Sequence, residues 1–207
     1  MYIEETLHSY LDDLASAQPT PGGGSTAALS GAMGAALASM VCRITLGKEA
    51  YAEVKQEIEE LLGRTENLRS RFQQLVQEDI EAYGRLAASY KLPRGTSEER
   101  TYRTGMLQKQ LVEAASVPLE VVECAAELIQ SCQKIAGVGS ISLLSDVATG
   151  AMLASCSGKS AAYMVHINVR SIKNESLVVE LEDRLNTALS RIEAGVAQVT
   201  DIVGDRA

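Results

Sequence analysis

Apolar side chains recur along this chain at spacings of three, four and seven, and nowhere in the clean alternation of a half-buried strand. Residues 3–17 predict a first helix, with Ile3, Leu7, Tyr10, Leu11 and Leu14 on one face. Pro19, Pro21 and the glycines Gly22, Gly23 and Gly24 end it, and Ser25 is expected to cap a second helix over about 26–46. There Ala27, Gly31, Gly34, Ala35 and Ala38 recur at three and four, which lets another helix backbone come close. Residues 49–89 predict one long helix. Ile58, Thr65, Phe72, Asp79 and Leu86 are seven apart, and Leu61, Leu68, Leu75 and Ala82 form a companion row, a seam of the coiled-coil kind.

A fourth helix is expected over about 98–135, with Pro118 as a kink or break. A fifth covers about 141–156, and Ser157-Gly158 interrupts or bends the chain before a helical stretch at 159–173. Asn174-Glu175 reads as a turn, and 176–203 as a last amphipathic helix built on Leu177, Leu181, Leu185, Leu189 and Ile192. The expected class is all-α: a bundle of long antiparallel helices, one domain over residues 1–207. The seam at 54–86 and the last helix are the candidate faces for pairing with a second copy.

Composition narrows this picture. Of 207 residues 46% are hydrophobic but only 4% aromatic, with one Phe and no Trp, so the core must be built from Ala, Leu, Val, Ile and Met. The net charge of −8 leaves no basic face for a nucleic-acid backbone. Cys42, Cys124, Cys132 and Cys156 form no C-x-x-C pair and lie in apolar stretches, as free thiols do in a reducing compartment. His8 and His166 are far apart, which supports neither a zinc site nor a His-based triad, so no metal is expected. The N-terminus has no basic and apolar leader, and the uncharged stretch 26–42 is rich in Ala, Gly and Ser. A buried helix of a cytoplasmic protein is therefore expected rather than a membrane span.

Three features can carry chemistry. Gln18-Pro-Thr-Pro-Gly-Gly-Gly-Ser-Thr26 brings backbone without Cβ atoms to the start of a helix, where free N–H groups can meet an anion. It fits G-x-G-x-x-A loosely, but no strand precedes it and no Gly-Lys-Ser/Thr is present; a tight turn with a serine cap is the plainer alternative. Asp79 falls by count on the apolar seam, where a carboxylate is costly unless paired with an arginine, turned to solvent or kept for acid–base work at a raised pKa. The last third holds Asp146 near a helix start, Asn168 on a face with Val165 and Ile172, and the cations Lys159, Arg170 and Lys173 with His166. These form either a solvated face or a local basic cluster.

Taken in order, Pro19-Thr-Pro-Gly-Gly-Gly-Ser25, Leu92-Pro-Arg-Gly-Thr-Ser-Glu-Glu99, Ser116-Val-Pro-Leu119, Ser145-Asp146 and Ile167-Asn-Val-Arg170 resemble the formiminotetrahydrofolate cyclodeaminase family. That family includes the cyclodeaminase half of formiminotransferase-cyclodeaminase and stand-alone methenyltetrahydrofolate cyclohydrolases. The resemblance covers nearly the whole chain. It implies an all-α homodimer, a tetrahydrofolate derivative as substrate, and no prosthetic group. It also implies that Asp79, in Leu75-Val-Gln-Glu-Asp79-Ile-Glu-Ala-Tyr83, is the essential aspartate, acting as general acid/base. Pro21, Gly22, Gly23, Gly24, Ser25, Asp146, Asn168 and Arg170 are the substrate-binding residues it implies, with Lys159, Arg170 or Lys173 meeting the glutamate tail. Met164 stands where members often carry Asn, which keeps a non-catalytic folate-binding or structural dimer as the alternative.

Overall fold

The computed structural model describes residues 2–206. Six α-helices follow one another: α1 (Leu7–Leu14), α2 (Gly23–Leu46), α3 (Lys55–Tyr90), α4 (Ser97–Val138), α5 (Leu144–Val169) and α6 (Glu175–Arg206). Short 3-10 turns at Tyr2–Glu4, Glu49–Val54 and Ile141–Leu143 complete the pattern, and no strand occurs among the described residues.

Helices α2 to α5 form the bundle. α2 packs on α3 and α5, α4 packs on the same two helices, and α6 lies across α4 and α5. Each consecutive pair is joined by a short connection, so neighbours run antiparallel. The contacts agree: Gly23 lies beside Met164, and Gly34 lies beside Gly150, further along α2 but earlier in α5. Small residues set these approaches. A Cβ on Gly34 would stand 2.7 Å from the Gly150 carbonyl, and one on Gly31 would enter the ring of Phe72.

The seam of α3 is buried as its spacing predicts. Ile58, Leu61, Thr65, Leu68, Phe72, Leu75, Ala82 and Leu86 are all buried. Thr65 is tolerated there because Ser39 of α2 donates to its Oγ1 at 2.8 Å and Thr65 donates to the Leu62 carbonyl. The seam is thus consumed inside the chain and offers no face to a second copy, contrary to the pairing expectation.

Several boundaries differ from expectation. The first helix is confined to Leu7–Leu14, capped by Thr6, whose Oγ1 accepts from the Ser9 N–H at 3.0 Å. The second begins at Gly23, with Gly22 as N-cap; Ser25 sits in its first turn. Pro118 does not break the chain into two helices, since α4 runs through it for 42 residues. Ser157-Gly158 does not interrupt α5: Gly158 is buried where α6 crosses, and a Cβ there would strike Ile192.

Two segments, Gly23–Leu46 and Ile141–Val169, are long and apolar enough to cross a membrane by length and composition. In this bundle they are the central pair, packed on each other through their small residues.

Candidate active site

One end of the bundle opens into a cleft of about 180 Å³. Its floor and walls come from four helices: the start of α2 with Gly22, Gly23 and Gly24, then Asp79, Tyr83 and Leu86 of α3, Ala114 of α4, and Met164 and Asn168 of α5. Pro19 and Thr20 close it on the loop side.

The helix start is held by its own hydroxyls. Gly22 is extended, and its N–H donates to Ser25 Oγ at 3.1 Å, while Ser25 and Thr26 donate to the Gly22 carbonyl at 3.0 and 2.8 Å. The Tyr10 hydroxyl lies 3.2 Å from Thr26 Oγ1 and ties α1 to the same turn. With its hydroxyl so occupied and fully buried, Ser25 offers the cleft its backbone N–H, not its side chain.

The carboxyl of Asp79 faces this helix start. A Cβ on Gly24 would collide with both Asp79 oxygens, so the glycine is there to admit the protein's own carboxyl. No described glycine has positive φ; space, not backbone freedom, is what the triplet supplies here. Asp79 is half-buried, and burial pushes its pKa from the usual 3.8 up to about 6, while a hydrogen bond from the Ser25 backbone N–H pulls the other way. A carboxyl near pH 6 changes its protonation state close to neutrality and can take and return a proton.

Asn168 reaches back to two backbone carbonyls: its Nδ2 donates to Ala114 O at 2.8 Å and to Met164 O at 2.9 Å. Met164 places its thioether against Gly23, with Cε 3.4 Å from where a Cβ would stand.

The other expected site residues fall elsewhere. Pro21 is buried beneath the turn, after a cis Thr20–Pro21 peptide, and its neighbours Pro19 and Thr20 line the cleft in its stead. Asp146 lies in the first turn of α5, 18 residues before Met164, about 27 Å away along the helix. Arg170 is exposed just past the last turn of α5 and does not line the cleft. Lys159 lies 3.7 Å from Glu193 of α6 and does not line the cleft. Leu86 was legible only as part of the α3 seam and Tyr83 only as the end of the Leu75–Tyr83 motif; Ala114 gave no signal.

A carboxyl with no basic partner among the described residues, held at a glycine-lined helix start inside an antiparallel helical bundle, defines the class of this molecule. The chain belongs to the formiminotransferase-cyclodeaminase family, whose model matches residues 6–187. It is 37% identical to a methenyltetrahydrofolate cyclohydrolase of Methylorubrum extorquens over 92% of this chain and 91% of that protein. It is 29% identical to the formimidoyltransferase-cyclodeaminase of Rattus norvegicus, covering 95% of this chain but 36% of that longer protein. Among solved structures it matches formiminotetrahydrofolate cyclodeaminase of Thermotoga maritima at a TM-score of 0.90 and 29% identity, over 99% of this chain and 98% of that one.

Proposed function

We propose that this chain is an enzyme of tetrahydrofolate one-carbon chemistry, with Asp79 as its general acid/base, and that methenyltetrahydrofolate is hydrolysed in the Asp79 cleft. The observation that carries this is the Asp79 carboxyl, unpaired by any cation among the described residues, set against the Gly24 backbone with a pKa near 6. Water adds to the methenyl carbon and gives up a proton to Asp79; the carboxyl then returns it to the folate ring nitrogen as that C–N bond breaks, and the remaining hydroxyl proton leaves to solvent as the formyl C=O forms, discharging the positive charge of the methenyl group. The relative at 37% identity, matched along nearly its whole length, supports water as the nucleophile.

Cyclodeamination is the second reading, supported by the likeness to the Thermotoga maritima protein. There the second folate nitrogen attacks the formimino carbon, and Asp79 takes its proton and passes it to the amino group, which leaves as ammonia as its C–N bond breaks. At about 180 Å³ the cleft is smaller than the roughly 300–1,000 Å³ that encloses a whole drug-sized ligand. One ring system of the folate fits inside, and the rest lies along the open mouth toward Arg170. No prosthetic group is required by either sequence of steps.

The test is loss of the methenyl absorbance band on adding protein, alongside ammonia release from formiminotetrahydrofolate. Band loss that disappears in Asp79→Asn supports the first reading, and ammonia release the second. Folate binding without either reaction means a non-catalytic folate-binding protein.

The proposed partner is a second copy. The outer faces of α2 and α5 expose Met33, Ile44 and Met152, with Ile141 of the turn before α5, flanked by half-buried Leu37, Met40 and Leu153. No charged residue interrupts α2 before Arg43, and Asp146 and Lys159 are the only charges in α5 before His166. An uncovered apolar face of this extent marks an interface. A two-fold axis through the middle of α5 lays the helix antiparallel on its copy, bringing the Asp146 end of one beside the Met164 and Arg170 end of the other. Sedimentation should give a dimer, and Met152→Glu a monomer; a monomeric wild-type chain refutes this. A cytoplasmic setting is part of the same reading, supported by four free cysteines, three of them buried.

A further inference from the structure

An α-helix passing through proline leaves one carbonyl without its donor, four residues earlier. For Pro118 that carbonyl belongs to Ala114, which is buried against α5. A buried carbonyl without a partner is costly, and here the partner comes from another helix: Asn168 Nδ2 donates to Ala114 O at 2.8 Å. Its second hydrogen goes to Met164 O at 2.9 Å, one turn back in α5. Both groups facing Nδ2 are carbonyls, which can only accept, so the amide has one possible orientation. Its Oδ1 is turned away from them, and no described protein group donates to it. Ala114, Met164 and Asn168 all line the cleft that holds Asp79.

We propose that Pro118 is a positioning residue for the Asn168 amide, holding Oδ1 as a fixed hydrogen-bond acceptor for an N–H group of the bound ligand. A reduced pterin carries such donors on its ring nitrogens and its amino group. The site thereby selects a ligand that presents N–H to α5 while Asp79, on the opposite wall, faces the reacting carbon. This rests on the folate reading for the ligand, but the tie between Pro118 and Asn168 stands on geometry alone. A merely structural Asn168 would serve stability and leave ligand affinity untouched.

The experiment uses the full chain as Asn168→Ala, Pro118→Ala and the double variant. It measures thermal midpoint, kcat and KM with methenyltetrahydrofolate, and tetrahydrofolate affinity by calorimetry. Asn168→Ala should melt several degrees lower and raise KM about tenfold with kcat little changed, as loss of one hydrogen bond to the ligand predicts. Adding Pro118→Ala to it should restore most of the melting temperature, because residue 118 then supplies the missing N–H to Ala114, yet leave KM raised. Pro118→Ala alone should melt no lower than wild type and raise KM about threefold, its amide no longer held by an otherwise unpartnered carbonyl.

The proposal is overturned if KM returns to the wild-type value in the double variant, or if Asn168→Ala leaves KM and tetrahydrofolate affinity unchanged. It is also overturned if Pro118→Ala fails to raise the melting temperature of Asn168→Ala. A wild-type chain that binds tetrahydrofolate without turnover refutes the enzymatic reading only, and the affinity comparison still decides this one. A chain that binds no reduced folate refutes both the folate reading and the ligand half of this proposal.

Discussion

Between α3, α4 and α6 lies a cavity of about 840 Å³, lined by Arg71, Glu120, Glu123, Arg184 and Arg191; the Asp79 cleft at the end of the bundle measures about 180 Å³. In the larger cavity every named carboxylate is matched. Arg71 bridges Glu78 at 2.5 Å and Glu120 at 2.6 Å, and Arg184 meets Glu123 at 2.9 Å. The Arg71 guanidinium holds Glu120 below the usual carboxylate range. In the smaller cleft no cation of the described residues stands beside Asp79, and burial drives its pKa the other way. A paired carboxylate stays ionised at every working pH and cannot carry a proton, whereas a lone, half-buried one can. Volume ranks these two places in one order, and the capacity of a carboxyl to take and return a proton near neutrality ranks them in the other.

The largest expected effect tests that contrast directly. Asp79→Asn keeps the shape and removes the proton carrier, so turnover should fall by about 10²–10⁴-fold, measured by the decay of methenyl absorbance. Stability should move the opposite way. Between pH 3.8 and about 6 the native state keeps a proton that the unfolded chain has released, so Asp79 costs stability progressively as pH rises through that window, and fully above it. Allowing for partial solvation of the open cleft, Asp79→Asn should be more stable than wild type by about 1–2 kcal/mol at pH 7.5, with the gain fading toward pH 4. A chemical-denaturation series across pH reads this; an equal gain at both ends would show that Asp79 is not perturbed by burial.

Gly24→Ala comes next. In most helix positions alanine is better than glycine by up to about 1 kcal/mol. Here the added methyl takes the place of the Asp79 carboxyl, which must swing out toward solvent. Turnover should fall on the order of 10²-fold, the scale of a misplaced catalytic group, while circular dichroism keeps its helical signal. The pKa of the displaced carboxyl should drop toward the ordinary range, visible as a shift of the pH–rate profile to lower pH.

How far the sequence carried this result depends on the kind of interaction. The α3 seam was legible because a long amphipathic helix repeats its burial every seven residues, and that count placed Asp79 near the core before any contact was known. The interruption at 157–158 was misjudged because Gly158 answers to a neighbour, Ile192, that is far along the chain. The break at Pro118 was misjudged for the same reason: its lost hydrogen bond is made good by Asn168, fifty residues away. The glycine triplet was marked as a place of close approach, but which group approaches, a ligand or the protein's own carboxyl, is a tertiary fact that no local pattern encodes. Asp146 and Arg170 were expected at the site from the family resemblance, and neither lines the cleft within one chain.

A smaller effect, confined to the other cavity, should come from Arg71→Met. It leaves Glu78 and Glu120 facing each other without their shared cation, at side chains 40% and 41% exposed. The loss should be about 1–2 kcal/mol at pH 7, since solvent screens part of it. Because the pair holds Glu120 ionised below its ordinary pKa, the stabilisation is present above that value and is lost as pH falls through the lowered one. The variant and wild type should therefore converge in acid, and in high salt. Turnover should stay within about twofold; a large loss would mean that the two cavities act together.

The smallest effect should come one residue from one of the largest. Gly23, like Gly24, stands in the first turn of α2 and lines the cleft, and neither needs a left-handed backbone. What differs is the neighbour. A Cβ on Gly23 meets the Met164 Cε at 3.4 Å, ordinary contact with the free end of a flexible side chain, which can turn aside. Gly23→Ala should therefore leave stability within about 0.5 kcal/mol of wild type and kcat within a few-fold, with any change falling on KM because the methyl narrows the cleft. Paired with Gly24→Ala in the same assay, it separates two roles for the triplet. If both variants lose activity alike, the glycines are there to let substrate lie against the helix; if only Gly24→Ala does, the triplet's essential member serves to seat Asp79.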